Sequence, residues 1–320
     1  MEEADSNDGT VEERTFWSVD GELRAFWKLS AYFAVWVFVV FFVFLATIPL
    51  PLPMHLPVVQ ASILFAGVVV ATLFGMRVMD RSPLRAVGFG PPHALRQFWI
   101  GVGVSVVMIC TVVLAELALG LASMQLNALS FAHALGLVAS GLLLYVVVGV
   151  SEELLMRGYP FRTLERAASP LVALLVTSVL FSLIHVRNPG IGLASLCNIA
   201  FAGIWLGRAR IVSGQLWLPI GLHTGWNFAQ GTIFGYPVSG MLEETVLRTH
   251  VQGATWFTGG DFGPEGGVLV TLVLILGTLL FSHPRFLLWL GLPHKNTDSD
   301  SEVAGASAGA LQAGPEGERE

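Results

Sequence analysis

Three pairs of side chains stand one helical turn apart inside apolar sequence: Glu153 with Arg157, Phe181 with His185, and His223 with Asn227. A second acid, Glu152, adjoins the first pair. Residues four apart share a helix face, so Glu153 and Arg157 can form an i,i+4 ion pair. The helical repeat turns Glu152 about 100° away, where it can face a cavity. Two carboxylates this close titrate as a coupled unit, and one of them can act as a general base toward water. Imidazole and carboxamide are donors that stabilise an oxyanion, which gives His223 and Asn227 a chemical reason to share a face. Gly221 and Gly225 flank His223 and leave room for a backbone or a substrate. Phe181 could wall the pocket.

The elements that hold these residues are membrane helices. Hydrophobic residues form 54% of the 320-residue chain and charged residues 12%, about half the charge of an ordinary soluble domain. Ionised acids are costly in hydrocarbon, which makes an intramembrane acid a functional-site hypothesis. Apolar runs at about 31–50, 57–76, 98–121, 133–151, 169–186, 190–207, 215–231 and 266–283 predict an all-α, polytopic transmembrane bundle of about eight spans. The fifth and seventh are the shortest and carry histidine. No cleavable signal peptide is expected, because the first 30 residues are acidic.

Alternating these spans places all but Arg187 and Arg248 of the 17 Lys and Arg residues on one side. The positive-inside rule makes that side cytoplasmic, with both termini on it. Residues 1–28 are acidic and 291–320 are rich in Ala, Gly, Ser and Glu, so both read as disordered tails around a helical domain at 29–290. The net charge of −6 comes largely from those tails and points to no nucleic-acid partner. Cys110 and Cys197 lie apart in apolar segments and read as packing residues. Glu152 lies 16 residues before Ala168 and His185 lies 17 after it. A hairpin tip at 167–170 would therefore bring both to the same level, with the acids part-way in from the cytoplasmic face.

Each feature has a plainer reading when taken alone. Glu153–Arg157 could be structural, membrane histidines and Asn227 could bond neighbouring helices, and Phe181 could be ordinary packing. Glu116 has no close sequence partner and reads as a packing or gating residue. His55, His93, His133, His250, His283 and His294 fall in loops or near span ends. Co-occurrence of three pairs on neighbouring helices is what favours catalysis.

The set Glu152-Glu153-x-x-x-Arg157, Phe181-x-x-x-His185 and His223-x-x-x-Asn227 resembles the CPBP intramembrane proteases, which include type II CAAX prenyl endopeptidases and Abi-type proteins. The resemblance covers roughly residues 75–282. It implies that Glu152 is the base activating water, with His185 helping to bind that water. Glu153 and Arg157 would orient the base, and His223 and Asn227 would stabilise the oxyanion. It implies no cofactor, and a peptide or protein substrate, lipidated or otherwise membrane-associated. The expected setting is a bacterial inner or plasma membrane.

Competing chemistries fare less well. Zinc could take His185, His223 and Glu152 as ligands, but the chain has no His-Glu-x-x-His motif. No span offers a persuasive serine nucleophile, and none of the eight contains an aspartate. A non-catalytic immunity or partner protein on the same scaffold would have no use for every candidate catalytic residue.

Overall fold

The computed structural model describes residues 18–19, 22–50, 52–53, 56–91 and 93–292. The expected disordered tails lie outside the described residues up to position 17 and beyond position 292. His55 and His294 also lie outside them. Two short strands, β1 (Ser18–Val19) and β2 (Glu22–Leu23), pair before α1 (Ala25–Thr47). Residues 25–28, expected in the tail, therefore open the first helix, and Lys28 is buried.

The helices that follow are α2 (Pro57–Phe74), α3 (Ala94–Ala118), α4 (Phe131–Glu153), α5 (Tyr159–Ala167), α6 (Pro170–Ile184), α7 (Leu193–Ser213) and α8 (Trp217–Asn227). The short α9 (Thr255–Thr258), then α10 (Val268–Leu280) and α11 (Pro284–Trp289), follow in the described residues. β3 (Ala122–Leu126) pairs antiparallel with β4 (Leu247–Val251), Ala122 opposite Val251. The fold is a helical bundle, and each of the eight apolar runs falls in a helix.

Among the described residues, four helical runs are long and apolar enough to cross a membrane: Ala25–Thr47, Pro57–Met79, Ala94–Ala118 and Phe131–Ala167. Phe38, Phe41, Phe42 and Phe44 stay exposed on α1, as lipid contact would require. The helices α6, α8 and α10, with 15, 11 and 13 residues, are shorter.

The hairpin tip lies between α5 and α6. Ser169 caps α6 by accepting a 3.2 Å bond from the Val172 amide, and Pro170 fills the first turn, where its missing N–H costs nothing. Beside this end, Asp80 accepts from Lys28 at 2.9 Å and from Arg162 at 2.6 Å. Those bonds tie together α1, the segment after α2, and α5. The opposite end carries Arg187, Arg248, the β3–β4 pair and the loops around residues 186–192 and 234–267.

Two apolar cores flank the middle of the bundle. One gathers Ile109, Trp205, Trp226 and Phe281; the other gathers Tyr32, Tyr159, Ile199 and Phe181. The closest helix pair is α3 against α8, and its glycines explain why. A Cβ on Gly221 would run into the Phe98 carbonyl, and one on Gly225 would lie 2.8 Å from the backbone of Val102. These two glycines thus admit the α3 backbone rather than a substrate. Cys110 is half-buried but Cys197 is exposed, so the packing role expected for both fits only Cys110.

Candidate active site

Helix α4 ends at Glu153 and continues through a π-helical turn, Leu154–Gly158, before α5 begins. Gly158 leaves helical geometry at ψ −118°. Pro160 then sits in the first turn of α5, where a proline is tolerated. A second π-helical turn, Phe228–Ile233, directly follows Asn227. Single π-turns inside α-helices are frequent at functional sites; these two adjoin the candidate residues, and a third, Gly75–Met79, follows α2.

Glu153 and Arg157 are fully buried and paired at 3.1 Å through Arg157 Nη1 and Glu153 Oε1. Arg157 Nη2 donates to the Gly203 carbonyl at 2.9 Å, half-way along α7. This arginine lies inside the bundle and is no face charge, unlike its place in the sequence-based count. Its guanidinium lies 4.5 Å from the centre of the Phe181 ring. That ring also meets His185 and His223 edge-on, with centroids 5.0 and 6.0 Å away. Phe181 is therefore the hub between the cation and both imidazoles.

Both histidines have one nitrogen fixed. His185 Nδ1 lies 2.7 Å from the Phe181 carbonyl, which can only accept, so Nδ1 carries the proton. His223 Nδ1 donates to Glu153 Oε1 at 2.9 Å. The two Nε2 atoms then converge on Glu152 Oε2, at 3.9 Å from His185 and 3.7 Å from His223. Those distances are too long for direct hydrogen bonds and suit a bridging water. The Glu152 side chain is 26% exposed, whereas Glu153 is completely enclosed. The helical offset of adjacent residues thus separates the two acids.

A cavity of about 640 Å³ opens over Glu152, His185, His223, Phe181 and Asn227. Asn227 makes no side-chain hydrogen bond among the described residues, and its carboxamide is free to meet a ligand. The structure therefore brings five of the seven candidates to the cavity wall, with Glu153 and Arg157 directly behind. Among the described residues, no three His, Cys, Asp or Glu side chains are grouped to hold a metal ion.

The cavity is also lined by Asn188, Ser239, Glu243 and Glu265, which come from the segments after α6 and α8. Sequence reading missed Glu265 as a cavity residue. Its Oε2 accepts from the Ser239 amide at 2.6 Å and the Ser239 hydroxyl at 2.9 Å. Lost hydration pushes its carboxyl above the usual range, while Ser239, His185 and His223 pull it back. The visible signal was a pair of acids, Asp261 and Glu265, inside the glycine-rich run Gly259-Gly260-Asp261-Phe262-Gly263-Pro264-Glu265-Gly266-Gly267. Glu116 is buried away from the cavity and accepts a 2.6 Å bond from the Tyr236 hydroxyl, a packing contact between α3 and the loop.

Residues 134–229 match the family model for the type II CAAX prenyl endopeptidase Rce1-like proteins. Over that segment the chain is similar to the Rce1-like proteins. The matched segment contains all seven candidate residues, although it is narrower than the 75–282 expected from the motifs. No curated protein and no solved structure matches the chain. An Rce1-like core suggests CAAX-type proteolysis within a membrane, on a membrane-associated protein substrate.

Proposed function

We propose that this protein is a metal-independent intramembrane endopeptidase in which Glu152 is the general base. The observation that carries the reading is the convergence of both imidazole Nε2 atoms on the one carboxylate that faces the cavity, at 3.7 and 3.9 Å. A water held between Glu152 and His185 gives its proton to Glu152 while its oxygen attacks the substrate carbonyl carbon. The carbonyl oxygen becomes an oxyanion, which protonated His223 meets from Nε2 and Asn227 from its carboxamide. Glu152 then passes the proton to the departing amine as the C–N bond breaks. The products are a carboxylic acid and an amine, and Glu152 returns to its ionised form. Glu153 and Arg157 hold His223 and Phe181 in place for these steps.

The apolar cavity walls, including Trp36, Leu64, Leu144 and Leu155, favour a membrane-associated segment. The first substrate to test is a farnesylated CAAX-type peptide with the protein in lipid nanodiscs. Glu152→Gln cannot take a proton from water, so cleavage is expected to fall by about 10²–10⁴-fold. Wild-type cleavage is expected to survive strong chelators. Near-normal turnover by Glu152→Gln would refute the base assignment. Loss of activity on chelation, with zinc lost from His185→Ala and His223→Ala, would replace it with a zinc mechanism.

A further inference from the structure

Among the described residues, the cavity wall contains the carboxylates of Glu152, Glu243 and Glu265 but no lysine or arginine. Arg157 is shut off behind Phe181. A free C-terminal carboxylate entering the cavity would find no guanidinium or ammonium partner. Glu265 is fixed from two sides. Asn198 Nδ2 donates to the Glu265 and Gly267 carbonyls at 2.8 and 2.9 Å, pinning the turn to α7. Ser239 takes up Oε2 with both its amide and its hydroxyl. Ser239 does so from a left-handed backbone, φ 48°, which non-glycine residues seldom adopt. Asn188 holds it there by donating to its carbonyl at 2.9 Å. Glu265 Oε1 has no hydrogen bond among the described residues.

We propose that Glu265 is a cation subsite of the catalytic cavity, selecting substrates that carry a lysine or arginine close to the cleaved bond. This deepens the endopeptidase reading and rests on it for the meaning of the cleaved bond. A substrate lysine or arginine supplies an ammonium or guanidinium that the described cavity wall lacks, and a charge-assisted bond to a prepositioned carboxylate is stronger than a neutral one. The proposal defines the substrate by the residue next to the cut rather than by its C-terminal carboxylate.

The test uses membrane-anchored fluorescent peptides identical except for Lys, Gln or Glu, scanned over two positions on either side of the CAAX cleavage point. Binding is read by anisotropy to the full chain in nanodiscs in the Glu152→Gln background, and cleavage by the otherwise wild-type chain. Expected is about 10–100-fold tighter binding of a Lys peptide than of its Gln or Glu counterpart. Glu265→Gln, whose carboxamide oxygen can still accept from Ser239, should abolish that preference. Glu265→Lys should turn it toward the Glu peptide. Equal binding of all three peptides at every position, or a Lys preference that survives Glu265→Gln, overturns the proposal. A Glu265-dependent Lys preference without cleavage by the wild-type chain would support the subsite and sink the endopeptidase reading.

Discussion

Arg157→Ala is the sharpest test of how the site is held. The residue has no exposed side-chain surface, pairs with Glu153 at 3.1 Å and bonds the Gly203 carbonyl at 2.9 Å. Removing one partner of a buried ion pair costs about 3–5 kcal/mol, because the remaining charge is left uncompensated. His223 still donates to Glu153 Oε1, which places the expected loss near the lower end of that range. Arg157→Lys should lie between, since an ammonium lacks the planar fork that serves Glu153 and Gly203 together. The double variant Glu153→Leu/Arg157→Met removes both charges and restores apolar volume, so stability should return to within about 1 kcal/mol of wild type. Cleavage should not return with it, because His223 loses the acceptor that fixes its Nδ1. Denaturant titration in mixed micelles reads the first quantity and peptide cleavage the second. Wild-type stability in Arg157→Ala would contradict the burial argument. Wild-type cleavage by the double variant would remove the positioning role of this pair.

Asn227→Ala should lower kcat by about 10²–10³-fold with little change in KM, the signature of a lost oxyanion donor; an effect on KM alone would assign it to binding. Gly221→Ala sets a methyl against the Phe98 carbonyl, and the forced separation of α3 and α8 should cost about 1–3 kcal/mol; unchanged unfolding would show that the contact relaxes freely. Reporters fused after Lys295 and within the loop at Gly259 should report opposite compartments, Lys295 the cytoplasm; the same compartment for both would refute the eight-span topology.

The pairs at helical spacing were legible because a helix turns sequence distance into side-chain direction without help from the rest of the fold. The level of Glu152 and His185 was legible for the same reason, once Ala167–Pro170 was taken as the hairpin tip. Residues joined by long-range contacts were not. Glu265 reaches the cavity only because Asn198 and Ser239, 67 and 26 residues away in sequence, hold its turn. Arg157 was read both as a face charge and as the partner of Glu153, and burial beneath Phe181 leaves only the second. The π-turns left no mark in apolar periodicity, because every residue of Leu154–Gly158 is buried whichever way it points.

That π-turn explains how two adjacent acids serve different ends. Glu153 is the last residue of α4, and the altered ladder begins immediately after it. Arg157 remains stacked over Glu153, while Gly158 ends the turn and lets α5 start afresh. The chain can therefore tie one carboxylate through its Oε1 to two protein partners, Arg157 and His223, and leave its neighbour without a direct hydrogen bond among the described residues. An uncommitted acid beside one held by two partners is what general-base chemistry needs: Glu153 supplies the fixed charge that orients an imidazole, and Glu152 keeps its oxygens for water. Exchanging the two roles by sequence alone would fail, since a helix offset of about 100° places only one of the two positions on the cavity.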